Sequence, residues 1–153
     1  MNAPLSIRTA VRTDVREIAR LLTELGHPTD TQAADALWDA WSASGSSAIV
    51  AAAPDGTLAG VATLHRMVVL HRSKPVGRIT ALVVDAAVRG EGIGRKLVAA
   101  AEDSLARDGC GLLEITSNFR LVEAHAFYEH IGYERTSIRL AKTLTPPSPR
   151  LVG

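Results

Sequence analysis

Arg89-Gly90-Glu91-Gly92-Ile93-Gly94 lies between an apolar, β-branched run at residues 79–84 and a segment with apolar residues at helical spacing, Ile93, Leu97, Ala101 and Leu105. The order is strand, glycine-rich turn, helix. At a helix N-terminus such a turn gathers backbone N–H groups with no intrahelical acceptor, and the helix dipole adds partial positive charge. The plain use of the turn is to join the two elements; its chemical use is to hold phosphate. Two familiar phosphate patterns fail on spacing. A Walker loop needs Gly, four residues, then Gly-Lys-Ser/Thr, but Gly94 is followed by Arg95 and no Ser or Thr comes next. A dinucleotide fingerprint begun at Gly90 and Gly92 requires glycine where Arg95 stands.

Composition narrows the setting. The 153 residues suffice for one domain with a core, 46% of them are apolar, and the net charge of +1 leaves no broad basic footprint for nucleic acid. No apolar run reaches the length of a membrane span. Met1-Asn2-Ala3-Pro4-Leu5 lacks the basic and apolar regions of a signal peptide. Cys110 is the single cysteine, so no internal disulfide is expected and the cytoplasm is the default compartment. In Gly109-Cys110-Gly111 it reads as a small buried residue at a helix-to-strand turn.

Outward from the glycine turn the chain reads as β-α-α-β-β-β-α-β-α-β. Residues 5–10 are a short strand. Asp14-x-x-Glu17 reads as a capping box for a helix with Val15, Ile18, Leu22 and Leu25 on one face, closed by Gly26 before Pro28. Residues 31–44 form a second helix facing inward through Ala34, Leu37, Trp38 and Trp41. Strands at 48–53 and 57–69 flank a Pro54-Asp55-Gly56 hairpin turn. A strand at 77–84 enters the glycine turn, the following helix stops at Gly109, and a strand at 112–116 follows. Residues 121–131 are helical, ended by Gly132, and 133–144 read as the last strand region. Interleaving of this kind predicts an α/β (α+β) fold, a mixed, mostly antiparallel sheet flanked by helices. One domain is expected over residues 1–145, with a Pro-rich tail at 146–153.

A second cluster gives the hexamer its meaning. Ser117-Asn118 precedes Ala124-His125-Ala126-Phe127-Tyr128, and Gly132-Tyr133 follows. Arg89, Gly92 and Gly94 also fit the pattern Arg/Gln-x-x-Gly-x-Gly/Ala. Together the two motifs, in this order and with a strand between them, resemble the GCN5-related N-acetyltransferase (GNAT) family, and within it the small-molecule branch that contains aminoalkylphosphonate acetyltransferases. The resemblance is close over residues 64–144 and looser before. It implies the acetyltransferase fold, acetyl-CoA as cosubstrate without a metal, and a primary amine of a small molecule as acceptor. It also implies that residues 89–94 grip the pyrophosphate, with Arg89, Gly90, Gly92, Ile93 and Gly94 in the loop and Arg95 and Lys96 flanking it. Main-chain groups of Leu82, Val83 and Val84 would pair with the pantetheine and face the thioester carbonyl. Asn118 would bind the pantetheine arm, although capping the helix that starts near Leu121 is an equal use.

Acetyl transfer to an amine needs a base, an oxyanion donor and a proton for the departing thiolate. Tyr128 resembles the family's general acid: a phenol of pKa ~10 is protonated at neutral pH and can share its proton with a thiolate of pKa ~8.5. Packing beside Phe127 and Ile131 is its other use. Many relatives carry a glutamate where this chain has Ala81. His65, His71, Glu114 and His125 are the candidates for the missing base. The expected activity is direct transfer; acetylation of a protein N-terminus or lysine, and a catalytically weak acyl-CoA sensor, are the rivals. A homodimer is the assembly that family habit implies.

Overall fold

The computed structural model describes residues 4–117 and 122–149. They divide into two compact units, one running through Thr116 and one from Ser117 onward. In the first unit the order is β1 (Ser6–Thr9), α1 (Val15–Leu25), α2 (Thr31–Ala43), β2 (Ser46–Ala52), β3 (Leu58–Met67), β4 (Val76–Val84), α3 (Ile93–Arg107) and β5 (Leu112–Ile115). The strands form one sheet in the order β1-β2-β3-β4-β5. Every neighbouring pair is antiparallel except β4 and β5, which are parallel and joined by the α3 crossover.

Residue chemistry accounts for most boundaries. Asp30 caps α2 by accepting the Ala33 N–H at 2.9 Å. Helices α1 and α3 end in the same pair of backbone bonds around a left-handed glycine. His27 N–H reaches Leu22 O and Gly26 N–H reaches Thr23 O; Cys110 N–H reaches Leu105 O and Gly109 N–H reaches Ala106 O. The β2–β3 turn is closed by the Ala53 N–H donating to Thr57 O at 2.9 Å, while the Asp55 side chain accepts the Thr57 N–H at 2.9 Å.

Both sheet faces are covered. On one, Ile18 and Leu21 of α1 pack with Ala48, Val50, Leu58, Val61 and Val83, and Leu22, Trp38 and Trp41 lean on this cluster. On the other, α3 buries Ile93, Leu97, Val98, Ala101 and Leu105. The tryptophans are core wall, with ring centroids 5.0 Å apart.

Four expectations need correction. Asp14 forms no box with Glu17. Its carboxylate turns back to accept the Val11 N–H (2.8 Å) and two bonds from the Arg8 guanidinium, so a partly buried ion pair outcompetes the cap. On α1 the buried residue is Leu21 and not Leu25, which is exposed. On α2, Leu37 faces solvent. The last strand does not form: residues 133–149 carry no strand, and Ile138, Leu140 and Leu144 are each more than 80% exposed, at 88%, 91% and 82%. Alternating residues become a strand only when an edge pairs with them, and none does among the described residues.

The second unit contains α4 (Val122–His130). It ends as α1 and α3 do, with Tyr133 N–H donating to Tyr128 O and Gly132 N–H to Glu129 O. Leu121, the expected first residue of this helix, lies outside the described residues.

Close seating of α3 depends on Gly60 in β3. A Cβ there would stand 2.9 Å from Leu97 Cδ1, 3.0 Å from the Val83 carbonyl oxygen and 3.4 Å from Ile93 Cγ2. Gly60→Ala should therefore destabilise the fold by about 1–3 kcal/mol, the usual cost of overpacking. Urea denaturation followed by circular dichroism measures this; an unchanged midpoint would show that the helix rides higher on the sheet.

Candidate active site

The site begins with an interruption in β4. Thr63 pairs with Ala81 and Leu64 with Ile79, so Thr80 is an extra residue, a β-bulge. Thr80 Oγ1 donates to Thr63 O at 3.2 Å, and the two hydroxyls lie 2.7 Å apart. Pairing with β5 stops at the same place: its register runs from Val76↔Leu112 to Ile79↔Ile115 and no further. Residues 80–84 thus have no strand partner on that side among the described residues. Alternate residues of a strand direct N–H and C=O toward each neighbour, so Thr80 to Val84 present main-chain donors and acceptors along an open edge. Leu82, Val83 and Val84 lie on it.

This edge leads directly into the glycine turn. Asp85 N–H donates to Ala59 O at 2.8 Å, and the Asp85 side chain accepts the Ala87 N–H at 2.9 Å, starting a 3-10 turn at Ala86–Val88. Arg89 Nε donates to Val84 O at 3.2 Å, tying the loop to the strand end. Gly90 and Gly92 hold φ of +83° and +79°, the left-handed region that disfavours side chains. Gly92 is the N-cap of α3, and its carbonyl accepts the Lys96 N–H at 3.2 Å. The N–H groups of the first turn, around Ile93, Gly94 and Arg95, have no intrahelical acceptor. Ile93 is buried under the helix, which orients that turn. A Cβ at Gly90 or Gly92 would meet nothing within 4 Å, so this surface is open to a ligand. No acidic side chain sits in the first turn of α3, while Arg95 and Lys96 are exposed there and the Glu91 carboxylate precedes it.

A hub that sequence reasoning missed fixes the junction. Arg20 of α1 donates to Asp85 Oδ2 (2.8 Å), to Leu58 O (2.9 Å) and to both Glu17 carboxylate oxygens. Glu17 also accepts the Leu58 N–H at 3.0 Å, and Glu24 accepts the Ala86 N–H at 2.9 Å. The Arg20 bonds, then the Leu58 N–H, hold the Glu17 carboxyl below the ordinary carboxylate range. The Ala87 N–H, then Arg20, do the same for Asp85. Glu17-x-x-Arg20-x-x-x-Glu24, a cation with carboxylates at i−3 and i+4, was the signal available in the sequence.

Next to the bulge a polar row crosses four strands. Ser46 pairs with His65, His65 with Arg78, and Arg78 with Glu114. Register partners share a face, and on β3 Val61, Thr63 and His65 alternate onto the side occupied by α1 and α2. Ser46 Oγ is 3.1 Å from His65 Nδ1, and Arg78 Nη2 donates to Glu114 Oε2 at 2.9 Å. Arg78 Nε is buried without a hydrogen-bond partner. The four base candidates therefore separate. His65 and Glu114 are in this row, His71 is exposed in the turn after β3, and His125 is on α4 in the second unit.

Tyr128 is also in the second unit, with the rings of Phe127 and Tyr133 at 5.3 and 6.1 Å. Burial pushes its phenol above the ordinary tyrosine value. Asn118 lies outside the described residues. Burial likewise raises the Cys110 thiol, which makes it less of a nucleophile.

The sequence profile of the acetyltransferase (GNAT) family matches residues 13–133, and the chain belongs to that family. An aminoalkylphosphonate N-acetyltransferase of Salmonella typhimurium is 36% identical over 90 residues, 59% of this chain; the matched stretch spans 58% of that relative's length. An acetyltransferase of Trypanosoma brucei superposes with a TM-score of 0.81 at 24% identity, covering 92% of this chain and 99% of the other. An aminoglycoside N-acetyltransferase solved with CoA gives 0.80 at 20% identity, over 94% and 97% of the two chains. At those identities the two structures speak for the fold.

The hub carries a pH signature. Glu17 and Asp85 have lowered pKa values in the folded chain, so their stabilisation is complete above the unfolded carboxylate range, near pH ~4, and is lost as pH falls through their folded values. Arg20→Met should cost about 1–2 kcal/mol at pH 7, allowing for partial exposure of the cluster, and should flatten the acid limb of stability. Thermal melts of both proteins between pH 3 and 7, values chosen to bracket the carboxylate range, measure it; parallel acid limbs would contradict the hub.

Proposed function

We propose that the chain is an acetyl-CoA-dependent N-acetyltransferase that passes the acetyl group directly to a primary amine of a small molecule. The observation that carries this reading is the open edge of residues 80–84 running into the left-handed glycine turn at the N-terminus of α3. An extended amide-bearing arm finds backbone partners on such an edge, and a pyrophosphate finds N–H groups and a dipole at its end. The residues fit both parts of CoA: Leu82, Val83 and Val84 for the arm, and Arg89, Gly90, Gly92, Ile93, Gly94 and Arg95 for the phosphates. Asn118 joins the arm's partners on the strength of the family motif.

The chemistry follows from the same groups. A main-chain N–H of the bulged strand offers the donor for charge developing on the acetyl oxygen. Tyr128 supplies the proton for the leaving sulfur, and its raised pKa keeps it protonated at neutral pH. We treat residues 1–145 as one functional domain, with 146–153 as a tail; the family match over 13–133 supports this. The cytoplasm and a homodimer complete the reading, the second supported by the exposed Ile138, Leu140 and Leu144. The named activity of the Salmonella relative, together with the unpartnered Arg78 Nε, favours an amine bearing an anionic group.

Thiol release from acetyl-CoA with a panel of amines tests the reading, the panel comprising an aminoalkylphosphonate, an uncharged alkylamine, an aminoglycoside and a lysine peptide. Turnover should be highest with the aminoalkylphosphonate. Tight acetyl-CoA binding without turnover of any amine would instead define an acyl-CoA sensor, a rival that Ala81 at the glutamate position favours. Tyr128→Phe should lower kcat on the order of 10²-fold; an unchanged kcat removes Tyr128 from the mechanism.

A further inference from the structure

A hydrogen-bond chain beside the open edge decides which nitrogen of one histidine carries its proton. Ser44 Oγ donates its single proton to the Trp41 carbonyl at 2.7 Å. Toward Ser46 Oγ, 3.2 Å away, Ser44 is therefore the acceptor and Ser46 the donor. Ser46 has then spent its own proton. At His65 Nδ1, 3.1 Å away, it accepts, so Nδ1 carries the hydrogen. A neutral imidazole has one N–H, which leaves a lone pair on Nε2. Among the described residues Nε2 has no hydrogen-bond partner.

We propose that His65 Nε2 is the general base that takes a proton from the acceptor ammonium, in the role left vacant by a carboxylate at Ala81. The assignment rests on the acetyltransferase reading. His65 shares a strand face with Thr63, whose register partner is Ala81. Two positions along a strand are roughly 7 Å apart, and the imidazole's own reach together with one water, about 5–6 Å between its two partners, closes that gap. Two of the other three candidates are less suited. Glu114 is engaged by Arg78, and His71 lies out in an exposed turn. The charged groups facing His65 are Arg78 beside it on β4 and, beyond, Glu114 on β5. Neighbouring β2 and the end of α2 offer the hydroxyls Ser46 and Ser44, and Asp35 and Asp39 of α2 are held by Arg12.

The proton count closes. An ammonium nitrogen carries two protons more than the amide nitrogen it becomes. One passes through the water to Nε2 and from the imidazolium to solvent. The amine then forms the C–N bond to the acetyl carbon, the C–S bond breaks with its electron pair on sulfur, and the second proton ends on that sulfur.

His65→Asn keeps a donor toward Ser46 but has no basic nitrogen. With an aminoalkylphosphonate it should lower kcat at pH 7 on the order of 10²-fold. Acetyl-CoA affinity by calorimetry should stay unchanged, and the deficit should shrink as rising pH supplies free amine. His65→Ala should regain part of its rate when imidazole is added, which a folding defect would not allow. Wild-type kcat and pH profile in His65→Asn, a loss confined to acetyl-CoA affinity, or no rescue by imidazole would each overturn the proposal. A wild-type chain that binds acetyl-CoA but acetylates no amine would refute the underlying reading, and the role of His65 with it.

Discussion

β4 and β5 part after Ile79 and Ile115, at the bulge on Thr80. A strand in the middle of a sheet normally satisfies its main-chain groups on both sides, and leaving them unpaired away from water is costly. Here the bulge turns the second half of β4 out of register with one neighbour while its other neighbour ends. The resulting edge stays open because the rest of β4 is held firmly. Thr80 is tied to Thr63, Val83 is sunk in the α1–α2 core cluster, and the strand end is anchored by Asp85 to Ala59. An edge of fixed length, closed at one end by β5 and running at the other into a helix N-terminus, offers main-chain donors and acceptors along its length and N–H groups at its end.

The glycine turn works because its surroundings are rigid. Gly90 and Gly92 supply the backbone angles, but the direction of the turn comes from Ile93 buried under α3 and from Gly60, which lets that helix approach the sheet. On the opposite side Arg20 gathers Glu17, Asp85 and the Leu58 carbonyl, and Glu24 adds the Ala86 N–H. Residues distant in sequence thereby fix the last strand residues and the first loop residues as one piece. The positive character of the loop then comes from its N–H groups, from the exposed Arg95 and Lys96, and from the Arg89 guanidinium, whose Nε is tied to the Val84 carbonyl.

Much of this was readable from the chain. The amphipathic face of α3, the Pro54-Asp55-Gly56 turn and the glycine stops at Gly26, Gly109 and Gly132 are local features with local causes, and they form as expected. The expectations that failed concern competition between partners. Asp14 has cap chemistry but finds Arg8, and Leu25 has helical spacing but is left exposed while Leu21 is buried. Residues 133–144 have strand alternation but form no strand. At the site, the glycine turn at the head of α3 was legible. The Arg20 hub and the tautomer of His65 were not, because each depends on neighbours brought together from separate elements.

By itself the sequence determined which of the described segments up to residue 132 are strand, helix and turn, the glycine loop at the head of α3, and the family to which these motifs point. These rest on backbone preferences and periodicity, which act over a few residues. Only the tertiary structure decided where β5 stops pairing, which face of the sheet carries the polar row from Ser46 to Glu114, and what holds the loop in place. Those depend on strand register and on side chains meeting across tens of residues, and a shift of one residue in pairing would send every side chain of a strand to the other face.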